Sequence, residues 1–148
     1  MNIDFMRLAI EQAREAAKND EVPVGAVIVM GNEIIGIGQN RKEASKCAVH
    51  HAEIEAIEAA CTRLDNWHLD GADIYVTLEP CAMCAGAIIN SRIRHIYFGA
   101  YDKKAGCCGT LYNLPSDKRF NHRPGVEGGI LAEECAALLS AFFGGKRR

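Results

Sequence analysis

The chain reads as an α/β layered domain, and three observations predict it. Apolar residues recur at helical spacing near both ends and in two internal segments. Short apolar runs with β-branched residues stand between them and read as strands. Helices that alternate with strands build a layered domain, with helices covering a sheet. The third observation is length: 148 residues bury a proper core without needing a second one. We therefore expect a single domain over residues 1–148.

The elements follow in order. A first helix is expected from about Asp4 to Lys18, with Phe5, Leu8, Ala9, Ala13 and Ala16 at helical spacing and Asp4 as its cap. Val24 to Met30 reads as a buried strand. Gly31-Asn32 is a turn signal, and Glu33 to Ile37 is its hairpin partner. Gln39 to Lys46 is polar and reads as a loop. Ala52 to Cys61 is rich in helix formers, with Ile54 and Ile57 on one side. Asp73 to Leu78 is a strand, Cys81 to Asn90 a helix with Pro80 just before its start, and Ile93 to Phe98 a strand. Ala100 to Arg123 mixes glycine, cysteine and lysine without periodicity and reads as a functional loop region. Leu131 to Phe143 closes the chain as a helix, with Gly144-Gly145 as its stop.

Composition narrows the class only coarsely. Apolar residues at 49% and charged residues at 24% are ordinary for a soluble globular protein. A net charge of -2 argues neither for nor against a nucleic-acid partner, because a basic face can be offset elsewhere. The basic end Lys146-Arg147-Arg148 reads as a solvated tail, with phosphate contact as the alternative. No stretch is long and apolar enough to span a bilayer, and Met1-Asn2-Ile3-Asp4 lacks a signal-peptide pattern, so a cytoplasmic protein is expected. In that compartment seven cysteines read as metal ligands, core residues or reactive thiols rather than a disulfide frame.

Two short segments carry the chemistry: His51-Ala52-Glu53 and Pro80-Cys81-Ala82-Met83-Cys84. Cys81 and Cys84, three apart, share one face of a helix's first turn, where unpaired N–H groups favour thiolates. Alone, the pair fits half a structural zinc site or a redox pair. No second Cys-x-x-Cys completes a four-cysteine site, and Cys107-Cys108 has the wrong spacing. A histidine supplies the third ligand. Of the neighbours His50 and His51, His51 is chosen because it stands two before Glu53. That offset puts an imidazole on the metal and a carboxylate beside its open position. Three protein ligands, an open fourth position and a base are what a catalytic zinc needs. Glu53 reads as the proton shuttle, because as a fourth ligand it would close the site. Glu55 and Glu58 are nearby, but helical spacing carries them away. The order His-x-Glu then Pro-Cys-x-x-Cys is the signature of zinc-dependent nucleobase deaminases.

A wider set of segments resembles the bacterial tRNA-specific adenosine deaminases. They are Val22-Pro23-Val24-Gly25-Ala26-Val27, Asn40-Arg41, His51-Ala52-Glu53-Ile54, the run Thr77 to Ala87, Phe98-Gly99-Ala100, Asn121-His122 and the run Gly129 to Leu139. The likeness covers about Phe5 to Phe143. It implies a three-layer α/β/α cytidine-deaminase-like fold with a five-stranded mixed sheet, and a homodimer with each site near the interface. It implies hydrolysis of adenosine to inosine at the wobble position of a tRNA anticodon, typically an arginine tRNA, by zinc-activated water. His51, Cys81 and Cys84 would bind one Zn2+ per subunit, and Glu53 would shuttle protons. Asn40 would bind the adenosine and the Ala52 N–H would help fix the base edge. Asp102 and Lys104 would lie along the RNA path, and Phe143 would pack on the anticodon loop.

Physics favours an unstacked target, since a zinc-bound water cannot reach a stacked base and an anticodon loop offers exposed ones. Basic residues late in the chain, Lys103, Lys104, Lys118, Arg119, Arg123 and the terminal three, would make a phosphate track. Cys107-Cys108 and Ser116 to Phe120 depart from the family pattern. The two vicinal cysteines read as small packed thiols, and Cys47, Cys61 and Cys135 as packing residues. Two alternatives stay open: a free-base or nucleoside deaminase acting on guanine or cytosine, and a nucleic-acid binding module with a structural zinc. Glu53 argues against the second.

Overall fold

In the computed structural model, which describes residues 1–146, a five-stranded mixed sheet lies between two layers of helix. The side chains of Lys146-Arg147-Arg148 lie outside the described residues, and so does the basic-tail expectation. The elements are α1 Ile3–Lys18, β1 Gly25–Met30, β2 Glu33–Gln39, α2 Lys42–Ser45, α3 Ala52–Leu64, β3 Asp73–Leu78, α4 Ala82–Asn90, β4 His95–Ala100, β5 Gly125–Glu127 and α5 Ala132–Lys146. A 3-10 turn spans Leu114–Ser116. The sheet order is β2-β1-β3-β4-β5. β1 runs antiparallel to both β2 and β3, whereas β3, β4 and β5 are parallel.

Alternation along β1 shows how the layers form. Val24, Ala26 and Ile28 join the core under α3 and α4, while Val27 and Val29 join the core under α1 and α5. Both faces of a central strand are covered, so it reads as one continuous apolar run. The β1–β2 turn has positive φ at both Gly31 and Asn32, as a tight two-residue hairpin turn requires.

β2 lets α3 come unusually close. A Cβ on Gly36 would sit 2.3 Å from the Ala56 carbonyl oxygen, and one on Gly38 would sit 2.1 Å from that of Ala52. Glycine inside a strand marks such close backbone approach. The first turn of α3 is thereby seated on the sheet.

Several elements differ from the sequence expectation. Asn2, not Asp4, caps α1: its side chain accepts the Asp4 N–H at 3.0 Å. The buried stripe of α1 is Met6, Ala9, Ile10, Ala13 and Ala16, and Leu8 is exposed. α3 buries Ala52, Glu53, Ala56, Ile57 and Ala60, with Ile54 only partly covered. A single turn, α2, interrupts the expected loop and buries nothing. β4 begins two residues later than expected, and β5 is a three-residue strand too short for periodicity to reveal. α5 runs through Gly144 and Gly145, because neither adopts the left-handed backbone of a helix stop. No helix among the described residues is long and apolar enough to cross a membrane.

Candidate active site

The site is built where two helices begin. His51 is the residue before α3, and Cys81 the residue before α4. Both have extended backbone, and neither side chain caps its helix. A residue at this position usually spends its side chain on a helix N–H. Here both side chains are left to point at each other. His51 Nδ1 lies 3.7 Å from Cys81 Sγ and 3.5 Å from Cys84 Sγ. The three donor atoms lie within 4.8 Å of one another. Tetrahedral zinc at its usual bond lengths separates a nitrogen and a sulfur ligand by about 3.6 Å. The donor set therefore fits that ion.

The electrostatics of the cluster point the same way. The Cys81 thiol is lowered to about 4, first by the hydrogen bond from Cys84 and then by His51. Cys84 is pushed well up, first by the Cys81 hydrogen bond and then by burial. The His51 imidazole is raised, chiefly by Cys81. The two sulfurs and the imidazole thus share protons across short contacts. A cation held between them would favour ionisation of both sulfurs.

Glu53 sits in the first turn of α3, 4% exposed. Desolvation raises its carboxyl group to about 7, and the neighbouring Cys81 charge adds to the rise. A carboxyl group poised near neutrality is suited to taking and returning protons.

His50 is directed away from the cluster. Its Nε2 lies 3.7 Å from Glu55 Oε2, and Glu55 also pairs with Arg41 at 2.8 Å. The structure thus brings His51 and not His50 to the two cysteines, and Glu55 is committed elsewhere.

Asn40 is held by backbone at both ends of its amide. Its Oδ1 accepts the Ala52 N–H at 2.9 Å, and its Nδ2 donates to the Val22 carbonyl at 3.2 Å. Asn40 thus caps α3 in place of His51. The Ala52 N–H, expected to meet a base edge, is spent on Asn40 in this structure.

A cavity of about 180 Å³ opens over the cluster. Its wall includes Val24, Asn40, Lys42, His51, Glu53, Cys81, Asp102 and Ala105. A second cavity, about 650 Å³, shares Val22, Asn40 and Lys42 with it and reaches Phe142 and Phe143. Phe143 is 47% exposed and stands at this larger cavity rather than over the donors. Asp102 lines the small cavity, but its Oδ1 accepts the N–H groups of Lys104 and Ala105 and shapes a turn. Lys104 is exposed and lines neither cavity.

The other cysteines sort by burial. Cys107 and Cys108 are each 4% exposed, and burial pushes both thiols up. Cys135 packs on Gly99, where a Cβ would come 2.4 Å from its sulfur. Cys61 is half-buried. Cys47 is exposed and packs in no core, a correction to its reading as a packing residue.

Sequence reasoning missed Gly36 and Gly38, whose signal was glycine inside a strand, and gave no role to Lys42 or Glu79. Asn121-His122 lies outside this cavity, in a separate one with Trp67 and Phe120.

Comparison with known proteins adds four findings. A family model described as MafB19-like deaminase matches residues 2–138. A tRNA-specific adenosine deaminase of Bacillus subtilis (strain 168) is 50% identical over 139 residues, spanning 94% of this chain and 86% of the relative. A solved structure from work on A-to-I editing by tRNA:A34 deaminases at the wobble position superposes with a TM-score of 0.90 at 43% identity, covering 93% of this chain and 100% of that one. A guanine deaminase from Nitrosomonas europaea superposes with a TM-score of 0.79 at 26% identity, covering 96% and 84%.

Proposed function

The chain belongs to the MafB19-like deaminase family and to the tRNA-specific adenosine deaminases, and on that premise we propose that it converts adenosine to inosine at the wobble position of a tRNA anticodon. The observation that carries the reading is the donor triad of His51, Cys81 and Cys84 beside a buried carboxyl group raised to about 7. A structural zinc has no use for such a carboxyl group. The whole chain, 1–148, acts as one deaminase domain.

His51, Cys81 and Cys84 hold one Zn2+ ion. When bound, that ion supplies water acidified toward neutrality for hydrolytic attack. Glu53 takes one proton from the attacking water and gives it to a ring nitrogen of the base, where inosine keeps it; it then takes the second from the hydroxyl newly joined to the base and gives it to the departing amino group, which leaves as ammonia. Its burial leaves it the protonation range for both directions. Asn40 sets the first turn of α3, and so the direction of Glu53, through the Ala52 N–H. Asn40 and the Ala52 amide border the adenosine. Asp102 and Lys104 lie along the RNA path, and Phe143 meets the anticodon loop at the larger cavity. An arginine tRNA, a homodimer and a cytoplasmic location complete the reading and rest on the family resemblance.

The guanine deaminase likeness defines the competing reading. Purified zinc-loaded protein is incubated with tRNA, an anticodon stem-loop, free adenosine, guanine and cytosine, and inosine or ammonia is measured. Inosine in the stem-loop is expected. Turnover of guanine with none on the stem-loop overturns the proposal. Sedimentation of the free protein tests the dimer.

A further inference from the structure

Among the described residues three carboxylic side chains are buried: Glu53, Glu21 and Glu79. The chemistry uses the first and not the other two. Burying a carboxyl group is costly unless its oxygens are hydrogen-bonded. Glu79 meets that condition with donors from one loop. Its Oε1 accepts the Asp102 N–H at 3.0 Å and the Thr110 hydroxyl. Its Oε2 accepts the N–H groups of Cys108 and Thr110, both at 3.0 Å. Gly106 makes the approach possible, since a Cβ there would sit 2.4 Å from the carboxyl carbon. The Glu79 backbone N–H in turn donates to Ala100 at 2.8 Å. Glu79 therefore fastens the 102–110 loop to the end of the sheet.

Glu21 does the same for another part of the wall. Its Oε1 accepts the Glu43 N–H at 2.9 Å and its Oε2 accepts the Ala44 N–H at 2.8 Å. Those are amides of α2, a single turn with no buried residue of its own. The two fastened segments bring Asp102, Ala105 and Lys42 to the cavity over the donor triad.

We propose that Glu21 and Glu79 are positioning residues that fix the walls of the substrate pocket. The proposal rests on the deaminase reading. Chemistry and mouth are carried by different parts of the chain. His51, Glu53, Cys81 and Cys84 stand at the starts of α3 and α4. The walls stand on segments that these two carboxyl groups tie down from the buried side, the 102–110 loop being held as well by the Cys107 N–H on the Pro80 carbonyl and by Cys107 and Cys108 in the core. Loosening a wall weakens contacts made equally in the ground and transition states, which raises KM and spares kcat.

Three variants of the zinc-loaded full chain test this. Glu79→Gln and Glu21→Gln each replace an accepting oxygen with an NH2 that faces N–H donors. Gly106→Ala leaves Glu79 in place and drives a methyl group onto its carboxyl. Each is assayed on the anticodon stem-loop, with zinc content, melting temperature and amide exchange of residues 42–46 and 102–110 measured alongside. KM should rise about tenfold or more, with kcat within about threefold, zinc retained and exchange faster in the matching segment. A lower melting temperature with KM unchanged makes the carboxyl groups purely structural and overturns the proposal. So does a fall in kcat at unchanged KM, or loss of zinc. Where Glu79→Gln yields no folded protein, Gly106→Ala and Thr110→Val decide for that wall. Should the wild type ignore the stem-loop but deaminate a free base, the deaminase reading fails at its substrate. The same comparison is then made on that base.

Discussion

Glu53 lies in the first turn of α3 and Glu79 just beyond β3, at 4% and 1% exposure. The same side chain at the same depth meets two different surroundings. Four N–H or O–H groups converge on Glu79. Glu53 faces two sulfurs and an imidazole, and desolvation lifts it to about 7. Burial alone does not tell a structural carboxyl group from a chemical one. The donors around it do, because a carboxyl group whose oxygens are taken up by N–H and O–H partners is committed to holding those partners in place.

The largest way to test that contrast is to remove Glu53. Glu53→Ala should lower turnover about 10²- to 10⁴-fold, the usual worth of a positioned acid–base group, while metal analysis still finds one zinc. Zinc loss in that variant would make Glu53 a ligand and dissolve the contrast. The ligand set is the next point of attack. His51→Ala should lose zinc and His50→Ala should keep it, because only His51 reaches the cysteines. The reverse pattern would leave Glu53 beside no metal.

A pH series on zinc-stripped protein sharpens the comparison further. A folded carboxyl group raised to about 7 keeps its proton where the unfolded chain loses it. Stability from Glu53 should therefore fall as pH climbs from about 4 through about 7. Glu53→Gln should remove that fall and gain on the order of 3 kcal/mol over wild type at pH 8, with little difference at pH 4, by thermal melts. Glu79→Gln should instead destabilise, having lost acceptors that nothing replaces. The smallest effect is expected from Thr110→Val, which removes one donor to Glu79. It should cost about 1 kcal/mol of stability and leave kcat intact.

The site's chemistry was legible in the sequence to an unusual degree. Three candidate ligands and a carboxylate stand in two short segments whose internal spacing is local, so helical geometry predicts their faces. The choice of His51 over His50 followed from the same spacing. Less was legible where contacts are long-range. Nothing local says that Asn40 caps α3, since its partners Ala52 and Val22 are 12 and 18 residues away. Glu79 sits inside the most recognisable segment of the chain, yet its donors lie 23 to 31 residues on. β5 was missed because three residues carry no period, and its pairing with β4 is decided by the neighbouring strand.

By itself the sequence determined the longer helices and strands and that β1 would be buried, and it singled out the four side chains, His51, Glu53, Cys81 and Cys84, that the proposed chemistry needs. These follow from periodicity and from ligand chemistry, which act within a few residues. Only the tertiary structure decided that the two segments meet. α3 follows edge strand β2 and α4 follows central strand β3, and both pack on one face of the sheet. Gly36 and Gly38 let α3 settle close enough for His51 to reach Cys81 across 30 residues of chain. It also decided that one buried glutamate would be short of donors and another full of them, because those donors arrive from loops whose positions no local pattern encodes.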